Sequence, residues 1–505
     1  MVVKYTSTKQ LTFAEFKTPF ETALNKKNRW VVLANHLPWD DLAAVYIKSL
    51  RCDFGRPSVD ARVVIGAMII KHKKSMTDEE TIEEIRENPY MQYFLGLQGF
   101  TDEPVFDPSL FVTLRKRMGL ALFDEMQQKI LDQIGKQNHK KEQEKSASSS
   151  KQKPETEEKQ TSEKQTGSDD IANRGTLIVD ATVAPQDIKF PTDLDLLNSC
   201  REKAEEIIDE LYQTEPGKRK PRTYRKVARK AYLATIRKKN KPANQLRKAI
   251  RKQLNFVKRN ISTINSLLNN GTKQISSKSL QRFWILQEIH RQQQDMYNCR
   301  SNRINDRIVS LSQPHVRPIV RGKAGKKVEF GAKLSVSLVN GFAYLDNLSW
   351  DAFNEGNDLP GQIEKYKERF GVYPEVVLAD HIYGSRSNRN ILKEKGIRFS
   401  GKPLGRPPKL SKEEKKSIAA EAKKRTLIEG VFGVGKRKYD LGLVKAKTRN
   451  TSESWIAIVL FVMNLEHWLR ISFCAYFLNP IINLIYCWID NFRFSYNFKG
   501  LKLAI

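Results

Sequence analysis

The sequence predicts an α/β protein whose mixed sheet is interrupted by a helical insertion and preceded by an all-α region. Two short apolar runs, Thr176–Val179 and Val376–Ala379, are rich in β-branched residues and lie just after a glycine or a proline, which is typical of buried strands. Between them, an alternating run from Val328 to Leu338 is followed by Asn340-Gly341, the strongest short-range signal for a hairpin. Together these features favour a layer of helices packed on a mixed sheet.

The remaining elements of this predicted layer follow the hairpin in chain order. After a second hairpin strand at Phe342–Trp350, we expect helices at Gly361–Phe370 and Asn388–Lys395 and a short strand at Ile397–Gly401. A long polar helix is predicted from Ser411 to Lys436. Strands and helices therefore alternate along this part of the chain, as in folds where helices cover a sheet.

The composition indicates a folded protein with a polyanionic partner. The chain has 505 residues, 40% of them hydrophobic, which excludes a wholly disordered protein. Its formal net charge is +31, and the stretch from Lys218 to Arg259 contains 18 Lys or Arg and no Asp or Glu. A positive excess of this size indicates nucleic acid or an anionic membrane surface as the partner.

This basic stretch lies within a long helical segment, residues 193–312, that we predict to be an inserted domain. Apolar residues recur there at intervals of three and four, namely Leu246, Ile250, Leu254, Val257, Ile261, Ile264 and Leu268. That spacing predicts a coiled-coil-like seam, for which Ser279–Asn298 is the expected partner helix. The basic side chains would then face outward, and Arg225, Lys226, Arg229 and Lys230 are candidate contacts to a phosphate backbone. The alternative is a charged, solvated hairpin without a partner.

The N-terminal 135 residues are predicted to form short helices, separated from the rest by a low-complexity linker at 136–173. Thr77 and Glu80 form a capping-box pattern, and Asp107-Pro108 is expected to open a helix. The last turn of that helix carries three basic candidates for DNA contact, Arg115, Lys116 and Arg117. A helix-turn-helix DNA-binding module and a purely structural bundle both remain open.

Acidic residues follow the two predicted strands, Asp180 after the first and Asp380 after the second. Carboxylates brought together at a sheet edge repel each other unless a cation lies between them, and Mg²⁺ prefers such hard oxygen ligands. On the long helix, Arg425 and Lys436 lie about 40° and about 20° from Glu429 around the helix axis, so the three share one face. The simpler alternative for this helix is an ordinary i,i+4 ion pair between Arg425 and Glu429.

In combination, these motifs resemble the DDE transposases of bacterial insertion sequences. The resemblance is carried by Asp180-Ala-Thr182, by Asp380-His-Ile-Tyr-Gly-Ser385 and by the Arg425-x3-Glu429-x6-Lys436 spacing. The stretch from Gly55-Arg56-Pro57 through Tyr93-Phe-Leu-Gly-Leu97 to Leu114-Arg-Lys-Arg117 is similar to that family's helical N-terminal domain. The resemblance covers most of residues 30–135 and 174–470. Two departures are that Ala422 stands where the family often has tyrosine, and that the large insertion follows the first strand.

The resemblance implies a ribonuclease H-like catalytic core, built from residues 174–192 and 313–455, with Asp180, Asp380 and Glu429 as the catalytic and metal-binding triad. It also implies two Mg²⁺ ions, with Mn²⁺ as a substitute, and strand cleavage and strand transfer at the ends of an insertion sequence. Arg425 and Lys436 would contact DNA phosphates. The implied partner is double-stranded DNA, both transposon ends and target, bound by a homodimer in the cytoplasm at the nucleoid.

Two alternative functions are also considered, and the role of the C-terminal segment is left undecided between packing, dimerisation and a membrane span. The chain could be a domesticated nuclease or recombinase that cuts without joining, or a non-enzymatic basic protein that binds nucleic acid and whose acids are structural. Residues 456–505 are predicted to form apolar C-terminal helices for packing or dimerisation. Because Ile471–Ile489 contains nineteen residues without a charge, a membrane span is the less favoured alternative.

Overall fold

The structure, a computed structural model, describes residues 23–50, 58–133, 173–212, 219–270, 274–320, 328–401, 404–405 and 411–471. The predicted linker, apart from Asn173, lies outside these ranges, as do residues 472–505 of the predicted C-terminal segment. The prediction of helices there stays a prediction.

The described residues form one mixed sheet of six strands. The strands are β1 (Thr176–Pro185), β2 (Arg317–Val320), β3 (Val328–Val339), β4 (Phe342–Ser349), β5 (Val376–Leu378) and β6 (Arg398–Phe399). Their order is β2-β3-β1-β5-β6, and β4 also pairs with β3. The strands β1, β5 and β6 run parallel, whereas β3 is antiparallel to β1, β2 and β4. The predicted mixed sheet is therefore present, with β1 at its centre.

Strand β1 is longer than the sequence predicts. The apolar run ends at Val179, but the strand continues to Pro185 because its second half pairs with β3, for example Thr182 with Leu334. Asp180 consequently lies inside the strand rather than after its end. The expectation that both aspartates follow strand ends is thus corrected for Asp180, although pairing with β5 does stop at Ile178.

The predicted hairpin joins β3 and β4. Asn340 and Gly341 have positive φ angles of 51° and 84°, as a two-residue turn that matches the twist of its strands requires. A Cβ atom at position 341 would lie 2.2 Å from Nε2 of His467, so the approach of the C-terminal helix also requires glycine there.

Helices cover the sheet after the hairpin much as predicted. They are α12 (Leu359–Phe370), α13 (Arg386–Glu394) and α14 (Lys412–Lys438). Ser411 caps α14 in a capping box with Glu414. Helix α14 packs against β1 and β5, and its buried residues are Ile428, Phe432 and Gly435.

Short helices build the N-terminal region: α1 (Arg29–His36), α2 (Trp39–Lys48), α3 (Ala61–Lys74), α4 (Asp78–Glu87), α5 (Pro89–Phe94), α6 (Leu110–Arg117) and α7 over residues 120–133. The predicted capping box of Thr77 and Glu80 is confirmed at α4. At α6, the predicted start is corrected by two residues: Ser109 is the N-cap, and Asp107 instead accepts a hydrogen bond from the backbone N–H of Ser109, at 2.8 Å.

The N-terminal helices share one hydrophobic core with the sheet, contrary to the predicted separation at 135. The C-terminal helix α15 (Arg449–Ile471) joins them. His72 meets Trp455 edge to face at 4.8 Å between ring centroids, and Phe123 meets Phe461 at 5.9 Å. Helix α15 also crosses the predicted boundary at 456. Its apolar face lies between the two regions, so neither buries its surface without the other.

Helix α15 is the described helix whose length and composition would allow it to cross a membrane. However, 72% of its most apolar stretch is buried inside the protein, and a core helix passes the same test. The described part of the predicted apolar C-terminal segment, residues 456–471, is therefore a largely buried part of α15.

The insertion forms a second, separate hydrophobic cluster. Its helices are α8 (Asp193–Leu211), α9 (Arg225–Ile236), α10 (Ala243–Asn270) and α11 (Ser277–Asn298). The predicted seam of α10 contributes Leu254, Val257 and Ile264 to this cluster. The main partner of α10 is α8 rather than α11, which corrects the predicted pairing. Because α8 and α11 both cover α10, the insertion has its own core and leaves α9 at the surface.

Candidate active site

The central strands bring Asp180 and Asp380 to neighbouring positions. Strands β1 and β5 pair in parallel with Ile178 opposite Leu378. If this register is continued by two residues along both strands, Asp180 lies beside Asp380, just after the end of β5. Ligand sites of parallel sheets commonly lie outside the carboxyl ends of the strands. The predicted convergence of these two aspartates is therefore supported by the strand register.

Asp180 is half-buried, and its surroundings disfavour the charged form. Burial is the main cause that raises its pKa, to about 6, and the carboxylates of Glu355 and Glu429 raise it further. The backbone N–H of Ala181, at 2.8 Å, and the charge of Arg425 act in the opposite direction. A carboxylate held against burial and like charges gains most when a cation comes close to it.

Asp380 begins a short 3-10 helix at His381–Tyr383. Its Oδ1 accepts hydrogen bonds from the backbone N–H and from Nδ1 of His381, at 2.7 and 2.9 Å. Burial would raise the pKa of Asp380, but these hydrogen bonds and the charges of His381 and Arg425 outweigh it, so the pKa is lowered. Asp380 is therefore ionised in this conformation and oriented by its own turn.

Helix α14 brings the predicted Arg425 and Glu429 to the two aspartates. The Arg425 charge acts on both Asp180 and Asp380, while the Glu429 carboxylate acts on Asp180. Both side chains flank the buried Ile428, which anchors the helix on the sheet. Lys436 lies two turns further along, about 10 Å up the helix axis, and is half-buried. Arg425 therefore acts electrostatically on both aspartates.

Two further residues lie in these surroundings: Glu355, which the sequence did not indicate, and Tyr383, which belongs to the Asp380–Ser385 motif. Glu355 opens a 3-10 helix at Glu355–Asp358 and acts electrostatically on Asp180. Tyr383 is fully buried, which raises the pKa of its hydroxyl, and the charges of Glu355 and Asp180 raise that pKa further. Glu355 is one of 57 acidic residues in the chain and belongs to a loop of ordinary turn composition, so no local pattern distinguishes it.

The donor chemistry fits a divalent cation, although the carboxylates are not gathered around one point. Within the described ranges, no group of three or more His, Cys, Asp or Glu side chains is arranged to hold a metal ion. The oxygens of Asp180, Asp380 and Glu429 are nevertheless the ligand type that Mg²⁺ prefers. Burial is the main cause that raises the pKa of Asp180, and like charges add to it, so a bound cation would favour the charged form.

Two regions of the chain match known protein families, and one of them contains part of this site. Residues 377–466 match the family described as Transposase DDE domain, and this range contains Asp380, Arg425, Glu429 and Lys436. Residues 18–117 match the family described as Transposase domain (DUF772). Over these two regions the chain is similar to DDE transposases. The resemblance inferred from its motifs is therefore confirmed.

A curated relative of the chain is the "Uncharacterized protein ORF8 in nfe locus" of Rhizobium meliloti, which is 32% identical over 111 residues. The alignment covers 22% of this chain and 53% of the relative, so the chain spans about half the length of the curated protein that it matches. No solved structure matches the chain.

In the N-terminal helical region, the predicted DNA contacts at Arg115 and Arg117 are revised. Arg115 is buried and donates two hydrogen bonds to Asp78, at 2.8 and 2.7 Å. Arg117 is half-buried and donates to the Tyr46 hydroxyl at 3.2 Å. Lys116 is exposed and stays a candidate for DNA contact. The end of α6 therefore ties α4 and α2 together, which favours the structural bundle among the two alternatives for this region.

We expect the Arg115→Met variant to lower the free energy of unfolding by about 3 kcal/mol, the lower end of the range for breaking a buried ion pair. The loss is not larger because Lys71 still pairs with Asp78, at 2.9 Å. The exposed neighbour provides the control, since Lys116→Met should change stability by no more than about 0.5 kcal/mol. Urea unfolding measures both, and equal stability of the two variants would contradict the structural role of Arg115.

In the insertion, the predicted basic surface is largely present on α9. Along α9, Ala228 is the buried residue, whereas Lys226, Arg229 and Lys230 are exposed. Arg225 differs, because it forms an ion pair with Asp209 of α8 and donates to the backbone carbonyl of Glu205 at 3.3 Å. Its assignment as a DNA contact is therefore weakened, while the other three side chains stay candidates.

Proposed function

We propose that this chain is a DNA transposase that cleaves strands at the ends of an insertion sequence and joins them to target DNA. In this proposal, Asp180, Asp380 and Glu429 hold the divalent ions. The observation that carries it is the electrostatic contact of Asp180 with Glu429 and Arg425, on a strand whose register places Asp180 beside Asp380. Motifs that are distant in sequence act there on the same aspartate, and the matched transposase families point to the corresponding activity.

The sheet order supports a ribonuclease H-like core. The antiparallel β4 and β3 lie on one side of β1, the parallel β5 and β6 lie on the other, and α14 crosses β1 and β5. In this arrangement a strand, a strand end and a helix each contribute one acid to the same sheet edge. The insertion enters after β1 and leaves before β2, so it does not interrupt that edge.

When bound, Mg²⁺ or Mn²⁺ would lower the pKa of the attacking water or 3′-hydroxyl and neutralise the leaving 3′-oxygen. The residues of the chain have complementary tasks. Arg425, whose charge reaches both aspartates, would neutralise the non-bridging oxygens of the scissile phosphate. Lys436, two turns away on the same helix, would contact a phosphate further along the strand. The hydrogen bonds from His381 keep Asp380 ionised and aimed.

Double-stranded DNA, both transposon ends and target, is the proposed partner. The exposed cations of α9 would bind the phosphate backbone with little dependence on sequence. Two DNA ends must be held together for joining, which favours a homodimer on DNA. A cytoplasmic location at the nucleoid follows from that substrate.

Replacing Asp380 or Glu429 tests the proposal. We expect Asp380→Asn and Glu429→Gln each to remove Mg²⁺-dependent nicking of a plasmid that carries the DNA flanking this reading frame. Each substitution keeps the shape of the side chain and removes only its charge. Glu413→Gln, in the exposed first turn of α14, is the matched control and should cleave normally. Normal nicking by Asp380→Asn or Glu429→Gln would exclude that residue from the site.

The same assay separates the other functions. A nuclease or recombinase without strand transfer would nick the plasmid but would not join the 3′ ends to a second labelled duplex. A non-enzymatic protein would bind DNA with no effect of Mg²⁺ and no effect of these substitutions. The electrostatic contact between motifs so distant in sequence favours an enzyme over this last alternative.

A further inference from the structure

Glu355 is fixed next to the turn that carries Asp380. The 3-10 helix that Glu355 opens packs against the 3-10 helix His381–Tyr383. Asn388 Nδ2 joins the two turns by donating to the carbonyl oxygens of Gly356 and Tyr383, at 2.7 and 2.9 Å. A Cβ atom on Gly356 would lie 2.6 Å from the Ile382 carbonyl oxygen, so the turns approach as closely as a glycine allows. These contacts therefore fix the distance between the backbone turns that carry Glu355 and Asp380.

The Glu355 side chain faces the same charges as the proposed triad. Its carboxylate is three-quarters buried and lies 3.7 Å from Nζ of Lys333 on β3. Lys333 also donates to the Phe353 carbonyl oxygen at 2.8 Å, so its ammonium is shared between two acceptors. Among the like charges that act on Asp180, Glu355 has a larger effect than Glu429. Lys333 lies opposite Val183 of β1 in the sheet, so this ion pair holds Glu355 beside the strand that carries Asp180.

A second observation at the same place concerns Tyr383. This side chain is fully buried, and its hydroxyl finds no hydrogen-bond partner among the described residues. The charges that act on this hydroxyl most strongly are those of Glu355 and Asp180. A buried hydroxyl without a partner is unfavourable unless another state of the protein supplies one. A small shift of either carboxylate toward a common ligand would give the hydroxyl an acceptor.

We propose that Glu355 is a fourth carboxylate of the active site and binds a divalent cation together with Asp180, while the Tyr383 hydroxyl donates to one of these carboxylates in the bound state. This inference rests on the proposed function, because it concerns the same cation. It assigns Glu355 a role that the family's three acidic motifs do not include.

Binding of Mn²⁺ to the full-length protein without DNA provides the test, because it needs no catalytic turnover. Titration followed by electron paramagnetic resonance counts the free Mn²⁺ directly. We expect Glu355→Gln to weaken the tightest binding by at least about 10-fold, as loss of even a supporting group at a metal site does. The control is Glu368→Gln, which removes the same charge from an exposed position on the following helix and should bind as the wild type does.

Tyr383→Phe keeps every charge in place and provides the second variant. We expect it to weaken Mn²⁺ binding in the same direction as Glu355→Gln, while the cation-free protein unfolds at an equal or higher temperature. Wild-type affinity in both variants would overturn the role of Glu355 and Tyr383 and leave the proposed function intact. Absence of Mn²⁺ binding by the wild type, together with metal-independent activity, would overturn the proposed function itself.

Discussion

Asp180→Asn is expected to reduce strand cleavage and strand transfer by more than about 100-fold, the upper end of the loss caused by removing a group that only supports a metal ligand. Asp180 lies on the central strand, and the charges of Glu355, Arg425 and Glu429 all act on it, so it is the central residue of the proposed site. Asparagine keeps the size of the side chain but cannot carry the negative charge that a cation needs. Removal of that charge should not unfold the protein, because burial and the neighbouring like charges already disfavour the charged form of Asp180.

Single-turnover cleavage of an end-containing duplex with Mg²⁺ measures this effect. Asp187→Asn serves as the matched control, because Asp187 is exposed and lies just after the same strand. This variant should cleave at the wild-type rate. Thermal unfolding of both variants without cations shows whether the fold is retained. A folded Asp180→Asn variant that still cleaves within a fewfold of the wild type would remove the central acid from the mechanism.

Neutralising the exposed face of α9 is expected to make DNA binding much less sensitive to salt. Each phosphate contact contributes about 0.9 to the slope of log affinity against log salt concentration. The triple change Lys226→Gln, Arg229→Gln and Lys230→Gln should therefore reduce the slope by up to about 2.7. Because these side chains lie on a helix that buries only Ala228, their removal should leave the packing of the insertion unchanged.

A charge-conserving triple variant provides the control. Lys226→Arg, Arg229→Lys and Lys230→Arg retain all three positive charges, and contacts to a phosphate backbone depend mainly on charge. The control should keep the wild-type slope in titrations of a random-sequence duplex between low and physiological salt. An unchanged slope in the neutralised variant would show that DNA does not lie along α9.

The site was only partly predictable from the sequence because its members are signalled in different ways. Asp380 directly follows an apolar run, and Arg425 and Glu429 keep a fixed spacing on one helix, so local patterns are sufficient to find them. Glu355 has no such pattern, since its neighbours Asn354 and Gly356 are typical of any turn. Its place beside Asp180 depends on the packing of two 3-10 turns from separate parts of the chain.

Local interactions explain what the sequence by itself determined about this protein. The Asn-Gly hairpin, the capping boxes of α4 and α14 and the apolar seam of α10 involve residues close together in the chain, so each pattern predicts its element. The family resemblance likewise rests on short motifs. Predictions at the edges of elements were less secure, as the extension of β1 shows.

Only the tertiary structure decided which surfaces are buried, because burial depends on contacts between distant segments. Arg115 lies in a basic run of the kind that contacts DNA, yet its side chain is buried and paired with Asp78 of α4. The N-terminal helices look like a separate domain in the sequence, yet they share a core with the sheet because α15 supplies an apolar face to both. The free energy of burying that face is available only when the far ends of the chain meet.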